Sequence, residues 1–214
     1  MSTERARPYR KRRRADQEAR TRLRITQAAV DLHGTIGPAR TTITRIAAKA
    51  GVQRATVYHH FPDSESLFLA CSAHWASLNP PPEPTAWSQI LDPEQRLCRA
   101  LDELYAWYEW AEPMLTNVLR DAPLVPAMAS AFRRFQEHFA ALHGALLRGR
   151  PAHGRRGARV SAALGHAIQF ETWQSLTRVH GLSLAEAAQL MVALVATADS
   201  ADIARQDRSG PPRS

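Results

Sequence analysis

Residues 42–61 of this chain read Thr-Ile-Thr-Arg-Ile-Ala-Ala-Lys-Ala-Gly-Val-Gln-Arg-Ala-Thr-Val-Tyr-His-His-Phe. The apolar residues of this stretch recur at three- and four-residue steps up to Ala50 and predict a short helix that ends at Gly51. A second short helix is predicted over residues 54–61. Two short helices joined by a glycine turn have the spacing of a helix-turn-helix.

The second helix of this pair carries its polar side chains on one side. Val52 and Val57 are expected to pack it against the first helix, where the small Ala47 allows a close approach. The side chains left on the outward surface are Gln53, Arg54, Thr56, Tyr58, His59 and His60. Arginine can bond bidentately to guanine, glutamine to adenine, and the threonine methyl group can touch that of thymine. The pattern favours a surface that reads DNA over an inert helical hairpin.

The rest of the chain also reads as helical. Apolar periodicity predicts helices over 18–36, 63–78 with Asp63 as N-cap, 92–110, 124–147, 156–180 and 183–200. Ser183 and Glu186 form a capping box at the start of the last one. The proline-rich segment 79–84 cannot continue a helix. No alternating strand is present, so the predicted fold is all-α, with the helix-turn-helix in a three-helix N-terminal domain.

The net positive charge is concentrated in the first third of the chain. Residues 1–70 hold 14 Lys and Arg against 6 Asp and Glu, and residues 71–214 hold 14 against 14, so the first third carries the whole net charge of +8. Ten of these basic residues lie between Arg5 and Arg24. Such a segment is typical of an end that binds a polyanion, although a solvated tail without a target has the same composition. Residues 1–17 are expected to be a disordered basic arm.

These residues resemble the TetR (tetracycline repressor) family. The resemblance is carried by Ile46-Ala47-Ala48-Lys49-Ala50-Gly51-Val52, by Thr56-Val57-Tyr58-His59-His60-Phe61-Pro62 and by Glu65-Ser66-Leu67-Phe68. It implies a homodimeric transcriptional regulator, usually a repressor that a small ligand releases from its operator. It also implies DNA contacts by Thr42, Gln53, Arg54, Ala55, Thr56, Tyr58, His59 and His60. The family more often has serine in place of Gln53, and a phosphate-contacting lysine in place of Ser64.

The resemblance implies four segments: the arm at 1–17, a DNA-binding domain at 18–70, an effector-binding and dimerisation domain at 71–205, and a disordered tail at 206–214. The last two long helices are the candidates for the dimer seam, unless both are core helices of one chain. Their apolar faces hold Leu164, Ile168, Trp173, Leu176 and Val179 on one helix and Leu184, Leu190, Met191, Leu194 and Val195 on the other.

A small hydrophobic or aromatic effector is expected to bind among aromatic side chains that crowd three helices. The candidates are Trp107, Tyr108, Met114, Phe135, His138, Phe139, His166, Phe170 and Trp173. Aromatic residues at helical spacing are equally typical of an ordinary core, so this set is a hypothesis about a mostly apolar cavity with a few polar groups. The fourth helix, 63–78, is expected to transmit ligand binding by tilting.

Several other classes of protein are disfavoured. No HExxH, cysteine-histidine zinc spacing, GxSxG or GxGxxG motif occurs, so neither an enzyme nor a metal or cofactor site is expected. No apolar stretch approaches the roughly 20 residues of a membrane span. Two separated cysteines fit the cytoplasm. The remaining alternative is a non-specific architectural DNA-binding protein. Separately, the segment Arg148-Gly149-Arg150-Pro151 has the core pattern of an AT-hook, a short peptide that binds in the minor groove.

Overall fold

The computed structural model describes residues 6–200, with side chains from Lys11 onward, and this part of the chain holds nine α-helices and no strand. The all-α prediction is confirmed. The helices are α1 Ala6–Ile36, α2 Ile43–Ala50, α3 Arg54–His60, α4 Ser64–Leu78, α5 Pro93–Asp121, α6 Ala129–Leu147, α7 Gly154–Ala167, α8 Phe170–Gln174 and α9 Leu184–Asp199. Short 3-10 turns connect several of them, and a single π turn, Ser175–Val179, extends α8.

Three helix caps form, and those at Asp63 and Ser183 were predicted from the sequence. The Thr42 hydroxyl accepts the Arg45 N–H at 3.2 Å and starts α2, and the Asp63 carboxylate accepts the Ser66 N–H at 2.7 Å and starts α4. At the start of α9, Glu186 donates its N–H to the Ser183 hydroxyl and accepts the Ser183 N–H. Each cap satisfies amide groups that a helix N-terminus leaves without an intrahelical partner.

Helix α1 begins earlier than we predicted. Residues 6–17 are helical, where we expected a disordered arm, while residues 1–5 and the predicted tail 206–214 lie outside the described residues. The segment is rich in arginine, lysine, alanine and glutamine, which are good helix formers. Pro8 lies in the first turn, where its missing N–H has no intrahelical partner to lose. Arg14 and Glu18 add an ion pair at 3.1 Å, one helical turn apart.

Contacts divide the chain into two compact units. The first is Met1–Pro80 with Ala111–Phe135, and the second is Pro81–Trp110 with Gln136–Ser214. The predicted domains were continuous segments, whereas here the last turns of α5 join the first unit. Asn117 of α5 donates its side-chain N–H to the Gly34 carbonyl at 2.8 Å, and the buried Asp121 accepts the Ala39 N–H at 2.9 Å.

The core of the first unit holds α1 to α4 together. Its buried side chains come from all four helices and are Ile25, Ala28, Ala29, Ile46, Ala47, Ala50, Val57, Phe61, Leu67 and Cys71. Because apolar burial is the main favourable term in folding, this cluster fixes the orientation of the short helices α2 and α3, which would be marginal alone. Burial raises the pKa of the Cys71 thiol to about 12.

A buried histidine, His33, lies in the same unit. Its ring stacks on Phe68 with centroids 5.1 Å apart and is 5% exposed. Burial lowers the pKa of His33 to about 4, although the negative charge of Asp121 works in the opposite direction. The pKa of Asp121 is itself lowered, first by the hydrogen bond from Arg120.

This histidine predicts acid sensitivity. Between pH 6.5 and about 4 the unfolded chain binds a proton at His33 that the folded chain does not. The free energy of unfolding should therefore fall as the pH drops through this window, by on the order of 3 kcal/mol in total. Urea unfolding at several pH values measures it. A His33→Leu variant should flatten the dependence and the exposed-site control His153→Leu should not; equal slopes in both variants would contradict the assignment.

The second unit contains a break that the sequence did not predict. The helix expected over 156–180 is interrupted at Ile168 and Gln169, where Gln169 is extended. The hydroxyl groups of Tyr105 and Tyr108, both buried on α5, donate to the carbonyls of Ala167 and Ile168. These bonds occupy carbonyls at the helix end, so distant side chains stabilise the break.

Candidate nucleic-acid interface

The turn between α2 and α3 has the geometry that the glycine predicted. Gly51 adopts φ 64° and ψ 40°, a left-handed conformation that favours glycine, and its N–H caps the end of α2. The Val52 N–H donates to the Ala47 carbonyl at 3.0 Å. Gln53 is then extended and serves as the N-cap position of α3. The chain therefore reverses within three residues and starts α3 at a fixed angle.

Helix α3 buries one face and exposes the other. Val57 is fully buried and Phe61, just after the helix, is 2% exposed, so both belong to the core of the first unit. The eight predicted DNA contacts lie on the other side or at its edges. Thr42, Gln53, Arg54, Ala55, Tyr58 and His59 are exposed, and Thr56 and His60 are half-buried. The structure thus leaves all eight predicted residues at least partly exposed.

Arg22 is a functional candidate that the sequence reasoning missed. Its guanidinium donates to the His60 carbonyl and lies 4.0 Å from the centre of the Phe61 ring. It therefore ties α1 to the end of α3 by a charge-assisted hydrogen bond and a cation–π contact. In the sequence Arg22 is one of ten basic residues between Arg5 and Arg24, and nothing in the local pattern separates it from the others.

The charges near α3 favour a neutral His60. Partial burial lowers the pKa of His60, and the neighbouring His59 and the positive charge of Arg22 lower it further. The rings of His59 and His60 meet edge to face with centroids 5.3 Å apart. A neutral imidazole can donate one hydrogen bond and accept another, which suits contact with either a phosphate oxygen or a base edge.

The N-terminal half of α1 adds a basic surface. Every residue from Lys11 to Arg20 is exposed, and five of these ten residues are basic. The run of basic residues predicted as a flexible arm is thus carried on a helix that continues directly into the core of the first unit. Exposed arginines and lysines of this kind supply phosphate contacts, which give affinity without sequence preference.

The nine residues predicted to bind an effector are divided between the two units. Met114, beside Gly34, and Phe135, stacked on Phe132, belong to the first unit, because α5 and α6 each pass from one unit into the other. His166 is exposed and bonds to Thr172. His138 bonds to the Pro82 carbonyl at 3.0 Å. The assignment of these nine residues to an effector site therefore stays a prediction.

Five of the nine do come together in the second unit. The ring of Tyr108 lies 5.4 Å from Phe170, 5.8 Å from Trp173 and 6.3 Å from Phe139, and Trp107 packs beside it at 5.6 Å. Burial raises the pKa of Tyr108 well above its usual value. The indole Nε1 of Trp173 is buried and has no hydrogen-bond acceptor among the described residues. The cluster is therefore a packed aromatic core with one unsatisfied donor.

Membrane-spanning helices and metal-binding clusters are both absent from residues 6–200. No helix in this range is both long and apolar enough to span a membrane. Within the same residues no group of three or more His, Cys, Asp and Glu side chains is placed to hold a metal ion.

The fold is shared with solved regulators. NalD of Pseudomonas aeruginosa, described as the secondary repressor of the MexAB-OprM multidrug efflux pump, is 21% identical, with 86% of this chain and 97% of that chain covered and a TM-score of 0.60. A TetR-family regulator of Streptomyces coelicolor is 21% identical, with 84% and 82% covered and a TM-score of 0.56. A TetR-like regulator of Rhodococcus sp. RHA1 is 19% identical, with 82% and 93% covered and a TM-score of 0.58. No curated protein matches the chain.

The turn at Gly51, the core under α3 and its exposed polar face define a helix-turn-helix DNA-binding protein. Residues 25–71 match the model of the bacterial regulatory proteins of the tetR family. The resemblance inferred from the sequence is confirmed for this helix-turn-helix segment, and the chain shares its fold with solved TetR-family regulators. Regulators of this family are generally DNA-binding proteins without catalytic activity.

Proposed function

We propose that this protein is a homodimeric repressor that acts in the cytoplasm, binds a palindromic operator through α3, and is released by a small hydrophobic or aromatic ligand. One observation carries the DNA-binding part of the proposal. Gln53, Arg54 and Tyr58 are exposed while Val57 is buried, on a helix that Arg22 and the turn at Gly51 hold in place.

The chemistry of this face suits the major groove. Arg54 can form two hydrogen bonds with the O6 and N7 atoms of guanine, and Gln53 can form two with adenine. Both lie at the N-terminal end of α3, the end of a recognition helix that contacts base edges. Tyr58 and His59 lie further along the helix, where phosphate contacts would set its register.

Replacing Arg54 should therefore change both affinity and specificity. An Arg54→Ala variant is expected to lose roughly 1–3 kcal/mol of operator binding and to relax the preference at one base position. Fluorescence anisotropy with operator duplexes substituted at each position measures both effects. Arg133→Ala, which removes an arginine from α6, is the matched control. Unchanged operator affinity for Arg54→Ala would mean that α3 is not the recognition helix.

The basic surface of α1 should contribute to DNA binding whatever the base sequence of the duplex. Replacing Lys11, Arg12, Arg13 and Arg14 by glutamine is expected to weaken binding to every duplex and to flatten its salt dependence. Removing one phosphate contact reduces the steepness of log K against log salt by about 0.9. Titrations at several salt concentrations measure the slope. If the slope of the variant equals that of the native protein, this surface does not contact DNA.

Burial within one chain divides the residues predicted for the dimer seam into two sets. Leu164, Ile168, Trp173, Met191 and Val195 are all buried within one chain and belong to its core, in which α7 packs against α9. Val179, Leu190 and Leu194 remain exposed, and Leu176 and Leu184 are not fully buried. The sequence could not separate the two sets, because α9 is apolar on more than one face.

The exposed apolar residues support a two-fold dimer through α7 and α9. Leu190 and Leu194 are 47% and 40% exposed and lie one helical turn apart on α9. Small residues such as Ala158 and Ala162 on α7 would let a second helix approach closely. Two helices from each protomer would then form a four-helix bundle that buries both surfaces. The two copies of α3 would read the two half-sites of a palindrome.

The ligand part of the proposal rests on the aromatic cluster around Tyr108. A buried N–H without an acceptor costs about 1–3 kcal/mol, so a ligand that offers an acceptor to Trp173 would gain affinity. For release, the ligand must bind better to the form that cannot bind DNA, and DNA must weaken ligand binding by the same factor. Because α4 lies wholly in the first unit, α5, which runs through both units, replaces it as the element that would transmit binding.

A further inference from the structure

A cleft in the second unit is surrounded by arginines that the proposed function does not use. It has a volume of about 320 Å³ and lies between the first turns of α5, the end of α9 and the segment that joins α6 to α7. Leu97, Val192 and Ala196 form its apolar wall. Arg150 and Arg156 form its basic wall, and we use the name arginine cleft for this site.

The guanidinium groups at this site have more donors than acceptors. Arg150, whose side chain is 6% exposed, donates to the Pro93 carbonyl at 2.7 Å, but its Nε has no acceptor among the described residues. The Nε atoms of Arg96 and Arg159 are also buried without an acceptor. Three of the four buried side-chain polar atoms without a partner in the described part of the chain are therefore arginine Nε atoms, and Arg150 is the one of these residues that lines the cleft.

The two arginines of the basic wall share one carboxylate. Asp199 is the carboxylate that pairs with the basic wall, 2.9 Å from Arg156 Nε and 3.7 Å from Arg150 Nη1, and it must serve both. Burial lowers the pKa of Arg96, and the charges of Arg148 and Arg150 lower it further. Positive charges that repel each other while donors stay unpaired are stabilised by an added anion.

We propose that the arginine cleft binds an organic monoanion with a carboxylate head and a compact apolar body. The head would accept hydrogen bonds from Arg150 and Arg156, and the body would lie against Leu97, Val192 and Ala196. Glu94 and Asp199 line the same cleft and disfavour a doubly charged head. The volume is at the small end of the range for small-molecule sites.

The same contacts exclude a different role for this segment. The hook pattern of residues 148–151 would need Arg150 to reach into a minor groove. Arg150 is instead held between the Pro93 carbonyl and Asp199, with its side chain almost fully buried. The structure thus assigns this arginine to the cleft and not to DNA. The proposal does not rest on the proposed repressor function.

Calorimetric titration of the full chain with four probes that share one alkyl chain tests the charge of the ligand. The probes are octanoate, octyl phosphate, 1-octanol and octylamine. Octanoate is expected to bind at least tenfold more tightly than each of the others. If octylamine or 1-octanol binds as tightly as octanoate or more tightly, the preference for an anion is wrong. If octyl phosphate does so, the preference for a single negative charge is wrong. If octanoate does not bind, the proposed ligand site is wrong.

Three variants test whether octanoate binds in the arginine cleft. Arg156→Gln is expected to weaken octanoate binding at least tenfold, whereas Arg155→Gln, an exposed neighbour that does not line the cleft, should leave it unchanged. Ala196→Trp should block binding by filling the cleft from an exposed position, with no loss of charge. Thermal unfolding confirms that each variant is folded. Octanoate binding that survives both Arg156→Gln and Ala196→Trp would place the ligand elsewhere and overturn the proposal.

Discussion

Replacing Leu190 and Leu194 of α9 by glutamate is expected to convert the protein into a monomer. The two side chains are exposed on one face of α9, and placing two like charges there on each protomer would oppose the burial that a dimer needs. Operator affinity should fall by a factor of roughly 100 or more, since binding of the second half-site then loses its high effective concentration. This is the largest effect on function that the structure predicts.

Sedimentation and operator titration measure the two consequences separately. The control variant carries Ala185→Glu and Gln189→Glu, which add the same charge at the same spacing on a different exposed face of α9. It should stay dimeric and bind the operator normally. If the leucine variant remains dimeric, or if it becomes a monomer and keeps full operator affinity, the proposed seam or the need for a dimer is wrong.

Gly37→Ala is expected to be the most destabilising small substitution in the first unit. Gly37 follows α1 with φ 89° and ψ 155°, a conformation that is essentially restricted to glycine. A Cβ atom at this position would overlap Arg120 Nη2 and Asp121 Oδ2. Strain and the loss of the bond from Ala39 to the buried Asp121 should together lower the free energy of unfolding by about 3 kcal/mol or more.

Gly51→Ala is the matched comparison, because its glycine also has a positive φ but no neighbour. A Cβ atom there would meet nothing within 4 Å, so only the backbone cost of about 1–2 kcal/mol applies. Urea unfolding of both variants measures the difference. If Gly51→Ala costs as much as Gly37→Ala, the contact between Gly37 and the end of α5 does not stabilise the fold.

The sequence predicted those features that depend on nearby residues. The turn at Gly51, the N-cap at Asp63 and the capping box at Ser183 each involve groups only a few positions apart in the chain. The buried face of α3 followed from helical spacing in the same way. For this reason the helix-turn-helix and its exposed surface could be located from the sequence alone.

The features that the sequence missed depend on residues far apart in the chain. The break at Ile168 is stabilised by hydroxyl groups of Tyr105 and Tyr108 about 60 positions away, and the end of α1 is held by Asn117 and Asp121. Helical periodicity identifies a buried face but not the partner that covers it. The candidate effector residues were therefore grouped across two units, and the core and exposed faces of α9 were not separated.

The proposed dimer must read a two-fold operator, and selection of bound duplexes from a random DNA pool at physiological salt tests this most directly. We predict a palindromic consensus whose half-sites lie about one helical turn apart, and Arg54→Ala should alter one position in each half. Binding without any enriched sequence would contradict a dimeric operator-specific repressor and favour the non-specific architectural protein, which the basic surface of α1 alone could produce.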